Sequence, residues 1–200
     1  MKTLRIELAA ALALTAMIAG MSVAPALAQD KKTEAPPKYV FSAFAVNQQG
    51  TGPNAGVVDI ALERLSTDEE RATLIATFME KGQDALLSAL QKIKPRIGYI
   101  RTPGSLGVDL QYAWRFVNAD GSSRIVIATD RPIGFLEARN RPRTIDYPFT
   151  LIEMHIDKDG NGEGRMAAGT KISKSKDGKT VELENYGISP VVLNKIHLLK

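Results

Sequence analysis

The chain has 200 residues, no cysteine and a formal net charge of +4 at pH 7. The absence of cysteine excludes a disulfide scaffold, a thiolate metal site and a cysteine nucleophile, and so small a net charge does not favour a nucleic-acid-binding protein. The length suffices for one domain with its own hydrophobic core.

Residues 1–28 have the pattern of a signal peptide. Lys2 and Arg5 precede an apolar run from Leu8 to Ile18, and Ala26-Leu27-Ala28 places small residues where a signal peptidase cleaves. The apolar run is too short to favour a retained membrane anchor. We therefore expect cleavage near Ala28 and export of a soluble chain to the periplasm or the extracellular medium. The exported chain has no transmembrane segment, and its net charge is +3 because two basic residues and one acidic residue are lost.

Residues 29–38 (QDKKTEAPPK) are charged and contain two prolines, which predicts a disordered linker. A single domain, 39–200, is expected to follow. Tyr39 to Val46 is rich in aromatic and β-branched residues and is the first strand candidate. From Val57 the apolar residues alternate with polar ones, which predicts a half-buried second strand.

A helical hairpin is predicted at about residues 67–92. Ser66-Thr67-Asp68-Glu69 has the spacing of a capping box, in which the serine hydroxyl and the glutamate each bind a free backbone N–H. Apolar residues then recur at helical spacing on both sides of Gly82, where a helix end is expected. The second helix should end before Pro95.

The rest of the chain has the pattern of antiparallel β structure, with Asp-Gly and Asn-Gly turns between short strand candidates. The candidates are 97–101, 108–117, 124–129, 149–157, 164–173, 180–185 and 191–198. The predicted fold is therefore mainly β (α+β), an antiparallel sheet forming a sandwich or a barrel-like domain with one inserted helical hairpin.

Asp157-Lys-Asp159-Gly-Asn161 resembles the first half of a calcium-binding loop. The position of the closing bidentate glutamate is occupied by Ala168, and the flanking segments are strand-like rather than helical. These residue types are also those of a tight hairpin turn. We expect a turn here, and no metal or cofactor is assigned.

Glu153, His155 and Asp157 alternate with apolar residues, so a strand would carry all three on one face. Such a cluster could hold a metal ion or act in proton transfer, although a histidine-rich zinc site is excluded because the only other histidine is His197. The polar face of an antiparallel strand usually just meets water, and this interpretation is favoured.

The segment from Val108 to Phe116 carries alternating apolar residues that include Tyr112 and Trp114. The pattern predicts one apolar face, which forms part of the core or lines a pocket at the mouth of a barrel.

Arginines are concentrated in the irregular segment 130–148, at positions 131, 139, 141 and 143. Guanidinium groups bind carboxylate, sulfate or phosphate, so Arg131, Arg139, Arg141 and Arg143 are candidate ligand-binding residues, although neighbouring acidic residues can neutralise them. Arg101, beside the 102–107 loop, is a further candidate.

Motifs of nucleophile elbows, dinucleotide sites and phosphate-binding loops are absent from the sequence. The sequence favours an exported, non-catalytic binding or interaction protein, for which an anionic or apolar small molecule is one candidate ligand, and no nucleic-acid partner is expected. The alternative is a metal-independent hydrolase or isomerase that uses Glu153, His155 and Asp157.

Overall fold

The computed structural model describes residues 38–47, 54–133, 146–175, 181–185 and 190–199, all within one compact unit, Ala35–Lys200. The predicted signal peptide and all of the predicted linker except Lys38 lie outside the described residues. Within these residues the chain forms ten strands and two helices. They are β1 (Tyr39–Asn47), β2 (Asn54–Leu62), α1 (Asp68–Lys81), α2 (Gln83–Leu90), β3 (Gly98–Arg101), β4 (Val108–Leu110), β5 (Tyr112–Val117), β6 (Ser123–Thr129), β7 (Phe149–Ile156), β8 (Asn161–Lys174), β9 (Val181–Asn185) and β10 (Val191–Leu198).

The strands form one antiparallel sheet that curls into a nearly closed barrel. Their order is β4-β3-β2-β1-β10-β8-β7-β6-β5, and β9 pairs with β8 beside this path. The first and last described strands, β1 and β10, lie side by side. The predicted mainly β, antiparallel domain with one helical hairpin is confirmed, and its sheet takes the barrel-like form.

One bent segment, 108–117, connects the two ends of the sheet. Its first part, β4, pairs with β3, and its second part, β5, pairs with β6. Gln111 stands between them and donates its backbone N–H to the carbonyl oxygen of Ala128, which is also the register partner of Tyr112. This arrangement, in which two residues face one partner, is that of a β-bulge.

The bulge changes which side chains face the barrel interior. Leu110 and Ala113 belong to the interior core, whereas Tyr112 packs outside the barrel against the helices. The predicted single apolar face of this segment is therefore wrong, because an inserted residue shifts the period-two alternation. After the bulge, Tyr112, Trp114 and Phe116 lie on the outer face.

The barrel interior is filled with apolar side chains from β1 to β8 and from β10. The largest fully buried ones include Phe41, Leu62, Ile127, Ile152, Met154 and Leu193. A second apolar cluster lies outside the barrel, where both helices pack over the start of β7. It consists of Leu74, Phe78, Leu86, Leu90 and Phe149.

Helix α1 begins one residue later than the sequence predicts. Thr67 is its N-cap, because Thr67 Oγ1 accepts from the N–H of Glu70 at 3.2 Å and Glu70 Oε2 accepts from the N–H of Thr67 at 2.9 Å. The predicted capping box of Ser66 and Glu69 is wrong. Ser66 is buried and bonded to β5 instead: its N–H donates to the carbonyl of Ala113 at 2.9 Å, and its Oγ accepts from the N–H of Ala113 at 3.2 Å.

The segment that resembles a calcium loop is the hairpin turn between β7 and β8. Asp157 Oδ1 accepts from the N–H groups of Asp159 and Asn161 at 2.9 Å each. Gly160 has a φ of 84°, which favours glycine at this point of the turn. Ala168 lies within β8. The segment thus has the hairpin structure that its sequence favours.

Candidate functional site

Two arginine–aromatic pairs lie side by side on the outer face of β5. The guanidinium carbon of Arg71 is 5.0 Å from the centroid of the Trp114 ring, and that of Arg124 is 4.6 Å from the centroid of the Phe116 ring. The two rings meet edge to face, with centroids 6.4 Å apart. Trp114 and Phe116 are both half-buried. We call these four residues, together with Glu153 and His155 on β7, the β5–β7 face.

Arg71 reaches this face because the start of α1 is attached to β5. The two hydrogen bonds between Ser66 and Ala113 place the N-terminus of the helix beside the strand. Arg71 lies in the first turn, where its N–H donates to the carbonyl of Thr67 at 3.0 Å. The capping box and the contact with β5 therefore place the guanidinium over Trp114.

Tyr112 borders the face beneath the helices. Burial raises the pKa of its phenol, while the charge of the nearby Arg71 opposes that rise. The phenol is therefore neutral at physiological pH and acts as an ordinary hydrogen-bonding group.

Glu153 and His155 extend the face across β6 to β7. Register pairs Arg124 with His155 and Val126 with Glu153. Glu153 Oε1 lies 3.5 Å from Nη1 of Arg124 and 3.4 Å from Nε2 of His155. The side chains of Glu153 and His155 are 47% and 62% exposed. The predicted pair is thus adjacent and open to solvent, while the third predicted member, Asp157, uses its carboxylate in the hairpin turn.

The Arg71 guanidinium differs from that of Arg124 in its acidic neighbours. Among the described residues, no carboxylate lies within 4.0 Å of the Arg71 guanidinium. The next strand adds Arg165 opposite Glu153 and Glu163 opposite His155. A guanidinium stacked on a ring keeps its N–H groups in the plane of the stack, where a carboxylate or phosphate can accept from them.

Arg101 belongs to a different cluster, on the outer face of β3. Its guanidinium carbon lies 5.3 Å from the ring centroid of Tyr99, and Arg96 contacts the same ring at 5.4 Å. Both arginines have acidic partners. Arg101 is 3.7 Å from Asp59, and Arg96 contacts Glu63 at 2.9 Å and Asp109 at 3.0 Å.

Arg131 is exposed and lies 3.2 Å from the carboxylate of Asp130. Its backbone carbonyl accepts from the hydroxyl of Thr150, so the chain here is held to the start of β7. Neither contact brings Arg131 to the β5–β7 face. The other candidates of this segment, Arg139, Arg141 and Arg143, lie outside the described residues.

In the part of the chain that the structure describes, no group of three or more histidine, aspartate or glutamate residues is placed to hold a metal ion. Nor is any helix there long and apolar enough to cross a membrane.

Arg71 and Arg124 were not predicted from the sequence. Arg71 lies on a helix surface, and its partner depends on how that helix meets β5. Arg124 is the second residue of β6 and has no local sign of a site, and only the register of β5, β6 and β7 places it between Phe116 and Glu153.

A scan against protein-family models and searches of curated proteins and of solved structures found no significant match. Function is therefore inferred from the geometry of the described residues.

Proposed function

We propose that this chain is an exported, non-catalytic binding protein whose ligand site is the β5–β7 face and whose ligand is anionic. The observation that carries the proposal is the arginine pair stacked on Trp114 and Phe116, with Arg71 lacking an acidic partner among the described residues. Export is supported by the signal-peptide pattern of residues 1–28.

The barrel core supports an outer site rather than an inner one. Apolar side chains from nearly every strand fill the described interior. Arginine, glutamate, histidine and aromatic side chains lie together on the outer face instead. Aromatic and arginine side chains are the residue types that contribute most to binding surfaces.

The exposure of Glu153 and His155 supports binding over catalysis. A hydrolase or isomerase gains most from carboxylates and histidines that are shielded from water, where electrostatic interactions are strong. These two side chains are 47% and 62% exposed on a convex sheet face, and Asp157 is bound within its turn.

The proposal is tested by titrating the protein with citrate, inorganic phosphate and sulfate at constant ionic strength. Trp114 is the only tryptophan in the chain, so intrinsic fluorescence reports directly from the proposed site. We expect a saturable change with at least one anion. In the double variant Arg71→Gln/Arg124→Gln, the affinity should fall by about tenfold or more, because two charge-assisted contacts are lost.

Arg101→Gln is the matched control, since it removes an arginine that also stacks on a ring but has an acidic partner. Its affinity should equal that of the wild type. Equal affinity in the Arg71/Arg124 double variant would refute the proposed site. Loss of binding only in Arg139→Ala/Arg141→Ala would assign the ligand to the other arginine segment. If chromatography shows that a bound anion is chemically converted, the non-catalytic role is refuted.

A further inference from the structure

Among the residues that the structure describes, no strand pairs with the edge of β5 that faces away from β6. The backbone N–H and C=O of Ala113 both bond to Ser66 and thus point away from β6. Backbone groups alternate in direction along an antiparallel strand, so those of Arg115 and Val117 point to the same side. Among the described residues, no backbone group pairs with them there, and Val117 is 65% exposed.

An unpaired strand edge is a template on which another extended chain can add as a further strand. We infer that this edge, together with the β5–β7 face, binds an extended acidic segment of another protein by strand addition. The inference rests on the proposed function, because it specifies the anionic ligand of that face.

The length of the added strand is limited by the fold. Ser66 already occupies the partner position of Ala113, and the hairpin turn to β6 begins at Asn118. The free part of the edge therefore accepts about five residues, or about 17 Å of extended chain.

The alternation of side chains defines the sequence that fits. Residues opposite Trp114 and Phe116 would point to the outer face, where Arg71 and Arg124 are stacked, so acidic residues fit these positions. Residues opposite Arg115 and Val117 would point to the inner side, where Arg115 lies over the ring of Tyr39 at 5.7 Å. Val117 on this side is apolar and exposed, and β-branched apolar residues favour extended backbone, so valine suits these two positions.

A second copy of this chain is a poorer occupant. Pairing two β5 edges would bring two arginine-bearing faces together, and like charges on neighbouring strands are destabilising.

The probe is the blocked peptide Glu-Val-Glu-Val-Glu, with Trp114 fluorescence as the readout. If the peptide adds as an antiparallel strand, the valine amides bond to the edge while the glutamate amides point away from it. N-methylation of both valine amides should therefore weaken binding by about tenfold or more. N-methylation of the central glutamate amide should change the affinity by less than about threefold.

A variant of the protein tests the same hydrogen bonds between the peptide and the edge of β5. Val117→Pro removes an N–H that points to the open edge, which leaves the β5–β6 hydrogen bonds intact. It should weaken peptide binding by about tenfold, whereas Val117→Ala should not. Retained citrate affinity in Val117→Pro would show that the face is intact.

Equal affinity of the unmodified and the valine-methylated peptides would overturn strand addition, even where citrate binding remains and supports the proposed function. Absence of binding by both the peptide and the small anions would refute the proposed function itself. Slow amide hydrogen exchange at Arg115 and Val117 in the free protein would show that the edge is already covered. A concentration-dependent dimer, detected by analytical sedimentation and abolished by Val117→Pro, would assign the edge to a second copy. Slow exchange at Arg115 and Val117, or such a dimer, would also overturn the inference.

Discussion

Leu193→Ala is expected to destabilise the barrel strongly. Leu193 is fully buried in the interior core. Its register partners are Ala45 on β1 and Gly164 on β8, which are both small. Truncation therefore leaves a row of three small residues across neighbouring strands, and no large neighbour in this row can fill the space. Such cavities lower the free energy of unfolding by about 2–5 kcal/mol. For a site that cannot collapse, the loss lies in the upper half of that range, about 3–5 kcal/mol.

The loss of unfolding free energy is measured by urea unfolding, which is monitored by circular dichroism and by Trp114 fluorescence. For a domain of this size it corresponds to a fall in melting temperature of about 6–20 °C. Val57→Ala is the control, because Val57 is 43% exposed on the outer face of β2, and it should change the free energy of unfolding by less than about 0.5 kcal/mol. A cost below about 1 kcal/mol for Leu193→Ala would refute the packed interior, and with it the placement of the ligand site outside the barrel.

Three further outcomes are expected. Thr67→Ala removes the hydroxyl that accepts from the N–H of Glu70, and urea unfolding should show a loss of about 1 kcal/mol; no loss would contradict the assigned N-cap. Hydrogen bonding from Arg64 lowers the pKa of Glu70, so the carboxylate stabilises the fold at neutral pH and this contribution fades as the pH falls below about 4.3. The stability difference between the wild type and Glu70→Gln should therefore shrink on acidification, and a difference that grows would contradict the ion pair. If the chain is exported as proposed, mass spectrometry of the extracytoplasmic protein should find Gln29 at the N-terminus, and an intact Met1 product would exclude the proposed processing.

The helical hairpin was predictable from the sequence because its signals are local. The acidic first turn of α1, the period of Leu74 and Phe78, and the break at Gly82 all lie within one short segment. The exact N-cap was not predictable. Ser66 and Thr67 are chemically similar, and the choice between them depends on the distant contact of Ser66 with Ala113.

The barrel closure and the site depend on pairing, which a single sequence does not define. Gln111 gives no sign that it is a bulge until Ala128 is known to be its neighbour. Alternation correctly placed Glu153 and His155 on one face, since that relation lies within one strand. The approach of Arg124 and Arg71 to the same face arises from register and helix packing, so neither was predicted.

The most direct test of the ligand site is its location by nuclear magnetic resonance. Proton–nitrogen spectra of the isotope-labelled protein are recorded during a titration with citrate at constant ionic strength. We expect the largest shifts at the indole N–H of Trp114 and at the Nε–H groups of Arg71 and Arg124, with little change at Arg101. Shifts centred on Arg101 or on the 139–143 segment, or none at saturating citrate, would contradict the β5–β7 face as the ligand site.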